Sequence, residues 1–460
     1  MVHLHEPWDI ETDLVVVGAG ACGMAASLAA SEQGARVLLL EKSAKVGGNT
    51  ALSQGMVPAA GTRFQKEAGV LDSPEAMAED AFRKNGYTSD PELTLSLCRK
   101  SAELVEWLVD RVGADLRLVT DFKYPGYSQF RIHAPPSRTG LELVSQMLEA
   151  VKAQKLITLA ADCPVRSLVT SREGEVIGVV AGAERPERVK SQKVILACNG
   201  FGANREMLEQ YCPEIANGLY FNHPGNTGEG IRWGMELGAA VQHMDAFQGH
   251  ASIAHPHGIL VTWAVIMSGG IQVNKAGRRF GDETRDYSAY TLKVLSQPEG
   301  LAFDIFGEGS YRLAVAGFEG FRELIRAGAV RRAESVPELA GLFGLNADNL
   351  ENTLRAYNAA RARGVDEFGR EQFGEELIPP LYGVQVTGAL LHTQGGLRIN
   401  TRAQALKPNG SPIPNLYAGG GVAVGVSGPG ASGYLSGNGL LTALGWGKVA
   451  GEDAASSLQA

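Results

Sequence analysis

Leu14 to Val17 form an apolar, valine-rich run that leads into three glycines, Gly18, Gly20 and Gly23. A small-residue segment of helical composition follows, closed by Leu38-Leu39-Leu40-Glu41-Lys42. A buried strand, a G-x-G-x-x-G turn, a helix and a second strand ending on an acidic residue describe a dinucleotide-binding βαβ unit. Gly18 allows the tight turn, Gly20 lets the backbone approach a pyrophosphate at the helix N-terminus, and Gly23 lets helix and strand pack closely. Glu41 is then placed for ribose hydroxyls, with Ala21, Cys22 and Lys42 beside the same ligand. The unit commits the chain to an α/β fold with a Rossmann-type parallel sheet.

At 460 residues the chain exceeds what one core usually holds, so two domains are expected. A net charge of −8 argues against nucleic acid or an anionic membrane as partner. No apolar run approaches bilayer length, and Met1 to Pro7 carries no leader pattern, so a cytoplasmic protein without membrane insertion is predicted. The five cysteines are scattered, with no Cys-x-x-Cys pair, and no metal, haem or iron–sulfur cluster is expected.

The loop Val46 to Met56 is polar and dense in glycine, which suits backbone contact with an extended cofactor through Gly48, Asn49, Thr50, Ser53, Gly55 and Met56. Residues 74–112 have helical periodicity and look like scaffold. A hairpin is predicted from Val165 to Ala183, turning at Glu173-Gly174, with Val165 as a cofactor contact. The strand Val194 to Ala197 opens into a second glycine turn at Gly200, and Gly228 begins a new helix. From about Gly238 the composition changes, and the strand-then-glycine style returns only near Thr393 and again at Leu416 to Gly421, which includes Gly420. The chain is therefore divided as 1–237, first part of a cofactor domain; 238–380, an inserted α+β capping domain; and 381–460, the return. Gly437-Asn438-Gly439, followed by Leu440, opens the last helix, whose N-terminus suits the carbonyl-rich end of a flavin ring.

Taken together, Gly18-x-Gly20-x-x-Gly23, Glu41-Lys42, Gly47-Gly48-Asn49-Thr50, Asn226 to Gly230, Gly277-Arg278-Arg279-Phe280, Gly395 to Arg398 and the terminal glycines have a clear counterpart. The chain resembles the FAD-dependent fumarate reductase/succinate dehydrogenase flavoprotein superfamily, and within it the 3-ketosteroid dehydrogenase branch. The resemblance implies FAD, held in a domain that a substrate-capping domain interrupts. NAD as sole cofactor would leave the terminal glycine element without a purpose.

The resemblance also implies site residues. His250 and His392 match the two substrate histidines of the fumarate reductase branch. Tyr434 stands where that branch has a carboxylate-binding arginine. Counted without gaps, Tyr287 stands where it has a proton-donating arginine; a short gap aligns Arg285 there instead. In the ketosteroid branch, Tyr287 corresponds to the base, Tyr434 to the donor on the ketone oxygen, Ser436 to its partner in proton transfer and Tyr127 to a supporting tyrosine. Desaturation beside a ketone needs such a base, such a donor and flavin N5 as hydride acceptor. A phenol with a pKa of about 10 is a poor base, so Tyr287 would need Arg285, His250 or Tyr127 to favour the phenolate.

The expectation is thus α,β-desaturation of a cyclic or steroid-like ketone, or the reverse reduction of the enone, with an external electron acceptor or donor. The alternative is a fumarate- or acrylate-type carboxylate reductase using His250, Arg285 and His392. A third reading is a flavoprotein subunit that relays electrons to a partner.

Overall fold

The computed structural model describes residues 7–458; residues 1–6, on which the expected lack of a leader partly rests, lie outside the described residues. Strand Ile10–Val17 is central in the first sheet, parallel to Val37–Leu40 on one side and to Glu187–Leu196 on the other. Ile157–Ala160 extends the sheet beyond Val37–Leu40, and Pro412–Ala418 extends it beyond Glu187–Leu196, both in parallel register. Leu14, Val15 and Val16 are fully buried. Helices Ala21–Glu32 and Asn438–Ser456 pack on this sheet, and full burial of the strand is why it reads as a continuous apolar run without alternation. The predicted hairpin forms from Val165–Thr170 and Val176–Ala181 and pairs onto Glu187–Leu196.

Helix Ala21–Glu32 is buried along almost its whole length, including Ser27. Its small residues let the last helix, Asn438–Ser456, cross it at backbone distance, where side chains at Gly447 or Gly451 would collide with the Cys22 or Ala26 carbonyls. The chain's end is thereby clamped to its beginning. The N-terminus of the last helix is fixed over the same cavity that the first glycine turn lines.

A second, largely antiparallel sheet runs in the order Ile259–Leu260, Phe247–Ala254, Leu381–Thr393, Leu301–Phe306, Ile271–Val273. The long strand Leu381–Thr393 also takes Arg331–Ala333 antiparallel and Leu219–Tyr220 parallel. The boundary expected at residue 380 therefore needs moving. Leu381–Thr393 belongs to the second sheet, because its pairing residues there are fully engaged, and the chain rejoins the first sheet only at Gln404–Leu406. Among the described residues no helix is long and apolar enough to cross a membrane, and no His/Cys/Asp/Glu cluster could hold a metal ion.

Candidate active site

One large cavity runs from the first glycine turn to the second sheet. At its first end lie Gly18, Gly20, Ala21, Cys22, Glu41, Lys42, Gly48, Asn49, Thr50, Ser53, Met56, Val165, Ala197, Gly420, Gly437, Gly439 and Leu440, all expected from the sequence. Glu41 is held in place by the Ala19 and Ser43 N–H groups, both at 2.9 Å. Lys42 pairs with Glu229 at 2.9 Å.

The glycines at this end divide by cause. Gly18, at φ +105°, sits where a Cβ would come within 2.7 Å of the Ala197 carbonyl, and a Cβ on Gly23 would collide with the Gly18 carbonyl. Both are required by the protein itself. Gly20 differs: its φ is −84°, and the nearest protein atoms would be 3.7 Å from a Cβ. Nothing internal requires glycine there, so the space it leaves open is for a ligand at the helix N-terminus. Two buried amide donors, Nδ2 of Asn49 and of Asn438, have no protein partner. An open helix N-terminus, unpartnered buried donors and a ribose-positioned carboxylate fit FAD.

Four expected cofactor glycines do not line the cavity: Gly23, Gly55, Gly200 and Gly228. They are packing glycines. A side chain at Gly200 would strike Thr393 Oγ1, one at Gly55 would come within 2.8 Å of the Thr139 carbonyl, and one at Gly228 within 2.6 Å of Met207 Sδ. Asn438 is likewise outside the lining, although its orphan amide lies in the helix's first turn.

The other end of the cavity gathers Gln54, Tyr124, Gln248, His250, Tyr287, His392, Tyr434 and Ser436. The segment carrying Tyr287 is fixed by its neighbours. Arg279 pairs with Glu283 at 2.7 Å, so the arginine of the Arg-Phe motif is scaffold. Asp286 accepts from the Ser288 and Ala289 N–H groups and pairs with Lys84 at 2.6 Å. Tyr287 Oη donates to Ser436 Oγ at 3.2 Å and accepts from Gln248 Nε2 at 3.4 Å. Its ring centroid lies 5.3 Å from His250, 6.2 Å from Tyr124 and 6.4 Å from Tyr434. Tyr434 Oη accepts from the Gly439 N–H at 3.4 Å, which leaves its own proton for the cavity.

Burial holds the Tyr287 and Tyr434 phenols above their ordinary value, with no cation at hand to reverse it. Burial also pulls the His250 and His392 imidazoles down to about 4, so both are neutral near pH 7. Their tautomers follow from their partners. The Ser252 N–H donates to His250 Nδ1 at 3.2 Å. Gln394, whose Oε1 accepts from Ser427 Oγ, donates through Nε2 to His392 Nδ1 at 2.9 Å. The His250 ring therefore carries its proton on Nε2, whereas His392 Nδ1 also lies 3.3 Å from the Thr393 carbonyl oxygen.

Two expected site residues are elsewhere. Arg285 is exposed and lines no part of the cavity. Its neighbour Asp286 is turned inward to Lys84, which leaves Arg285 facing out and Tyr287 facing in. Tyr127 is buried outside the lining, its Oη donating to the Ser436 carbonyl at 2.6 Å, so it braces the terminal loop. Tyr124, three residues earlier, faces the cavity in its place and donates to Gln54 Oε1 at 2.9 Å. Gln248 and Gln54 were not among the expected residues. The period of two along strand Phe247–Ala254 puts Gln248 on the same face as His250 and could have found it; no local signal separates Tyr124 from Tyr127. Lys42 is the one Lys or Arg among the described lining residues, and it belongs to the cofactor end.

The FAD-binding domain family matches residues 13–440. A probable fumarate reductase of Shewanella frigidimarina is 33% identical over 96% of this chain and 75% of its own length. A urocanate reductase of Eggerthella lenta is 30% identical over 97% of this chain and 75% of its own. Among solved structures, the open conformation of a flavocytochrome c3 fumarate reductase is similar at a TM-score of 0.82, with 32% identity, 98% of this chain and 79% of that one covered. The 3-ketosteroid-Δ4-(5α)-dehydrogenase of Rhodococcus jostii is similar at a TM-score of 0.78, with 30% identity and 98% of each chain covered.

The expectation of ketone desaturation is corrected here. The curated relatives are named for reduction of unsaturated carboxylates. Neither Arg285 nor Tyr127, two of the groups expected to favour a Tyr287 phenolate, approaches the Tyr287 oxygen as a partner.

Proposed function

Because the chain belongs to the FAD-binding family matched over residues 13–440, and its relatives are reductases acting on C=C bonds, we propose that it reduces the double bond of an α,β-unsaturated acid carrying one carboxyl group. The observation that carries this reading is the pair of neutral imidazoles, His250 and His392, which line the cavity together with Tyr287 and Tyr434.

Bound FAD, reduced by an external donor, supplies hydride for the β-carbon. The protein's part is orientation and the proton. The His250 and His392 Nε2–H groups and the Tyr434 O–H donate to the carboxyl oxygens, where charge builds as hydride arrives. Tyr287, kept protonated by burial, gives its proton to the α-carbon, and Ser436 Oγ is the hydrogen-bond partner from which it is restored.

One carboxylate, not two, follows from charge. A buried anion needs opposing charge or several donors, and this end of the cavity offers neutral donors without a guanidinium. A single carboxylate can be held by three such donors; a dianion cannot be matched.

The test is anaerobic stopped flow on the photoreduced holoenzyme, following flavin reoxidation by cinnamate and urocanate, by fumarate and by cyclic enones. Fast reoxidation by a monoacid with fumarate much slower is expected. Reoxidation by enones and by no acid would overturn the proposal.

A further inference from the structure

Behind His250 the second sheet contains a buried carboxyl group that neither cofactor binding nor proton transfer uses. Asp304 lies on strand Leu301–Phe306 and is fully buried. Among the described residues no cation pairs with it; its oxygens accept from Ser252 Oγ and, at 2.7 Å, from Gln272 Nε2. Gln272 Nε2 also donates to the Ala251 carbonyl at 2.9 Å. These two contacts reach across the sheet to one place, the irregularity in strand Phe247–Ala254 between His250 and Ile253, where the register against Leu381–Thr393 shifts. A bulge of this kind frees a backbone N–H from the ladder and re-aims a side chain. Here the freed group is the Ser252 N–H, and it is spent on His250 Nδ1.

We infer that Asp304 is a positioning residue for His250: through Ser252 and Gln272 it holds the bulge at Ala251-Ser252 in the shape that fixes the imidazole as an Nε2–H donor toward the substrate. Without the anchor, Ser252 can rejoin the ladder, and Nδ1 and Nε2 compete for the proton. The tautomer is otherwise unconstrained, because a neutral imidazole in an apolar setting carries its proton wherever a partner accepts it. A carboxyl group lifted by burial to about 7 is a costly way to fill a sheet interior unless its hydrogen bonds do something specific.

The part of this inference that concerns substrate rests on the monoacid reading; the part that concerns the ring does not, and the experiment separates them. FAD-loaded protein labelled with 15N-histidine would be compared at pH 7.5 as wild type, Ser252→Ala, Asp304→Asn and Asp304→Leu, with His250→Gln used to assign the signal. His250 should appear as a single Nε2–H tautomer in the wild type and in Asp304→Asn, which can still accept from Ser252. In Ser252→Ala and Asp304→Leu the signal should move toward the Nδ1–H form. With cinnamate, reoxidation should then slow by about tenfold to 10²-fold, because one of the three donors to a carboxyl group that gains charge is lost in part. An unchanged tautomer in Ser252→Ala, which removes only a hydroxyl and should fold, would overturn the inference whatever Asp304→Leu does. A shifted tautomer in a protein whose wild type turns over no unsaturated acid would uphold it and sink the substrate reading instead.

Discussion

At the cofactor end of the cavity the lining residues arrive in short runs, between Gly18 and Cys22, at Glu41-Lys42, between Gly48 and Ser53, and between Gly437 and Leu440. At the substrate end Gln54, Tyr124, Gln248, Tyr287, His392 and Tyr434 each come from a separate segment, brought together by the second sheet and the terminal loop. The first end recognises a ligand mainly with backbone, which needs glycine and a helix N-terminus at fixed spacing. The second uses side-chain tips, whose direction depends on strand register and on which neighbour turns a loop inward. That difference decides how each end should fail.

The largest effect is expected at the cofactor end. Gly20→Val should yield a folded but colourless protein, since the position has room for a Cβ against its own chain and none beside a pyrophosphate; far-ultraviolet circular dichroism and flavin absorbance measure the two separately. A variant that keeps its FAD would remove the ligand-based reason for this glycine.

At the substrate end the cofactor should stay and the chemistry go. Tyr287→Phe should slow reoxidation by an unsaturated monoacid by about 10²- to 10⁴-fold, with absorbance of bound FAD unchanged, whereas exposed Arg285→Gln should stay within about twofold of wild type. Equal losses in the two variants would return Arg285 to the mechanism. Tyr434→Phe should cost less, about 10²-fold, as one of three donors to the carboxyl group; an unaltered rate would place the carboxyl elsewhere.

The smallest effect is on stability, and it separates the ends by pH. His250 and His392 titrate near 4 when folded because they are buried, against 6.5 in an unfolded chain. Between those values the unfolded chain binds more protons, so the stability that these neutral rings retain above pH 6.5 is lost as pH falls toward 4. Melting temperatures measured across this window should fall less steeply in a His250→Gln/His392→Gln variant. An equal slope would mean that other groups govern acid unfolding.

Much of this was legible beforehand. The parallel strands, the hairpin at Glu173-Gly174 and most residues that line the first end of the cavity were readable because each depends on neighbours within a few residues. Tyr287 and Tyr434 were placed by alignment with a family, and both line the cavity. Arg285 and Tyr127 lie outside the cavity lining for one reason: near a loop, the residue that faces inward is set by a contact with a distant part of the chain. Lys84 draws Asp286 inward, and the Ser436 carbonyl takes the Tyr127 hydroxyl out of the cavity.

The sequence by itself determined the dinucleotide unit, the family, the cofactor and the neutral residue types that would meet a substrate, because glycine spacing and apolar runs act locally. Only the tertiary structure decided which side chains meet the cavity and in what state. It buried Tyr287, left Arg285 in solvent, and bent strand Phe247–Ala254 so that His250 meets the cavity with its proton on Nε2. Protonation states and tautomers are set by desolvation and by partners far away in the chain.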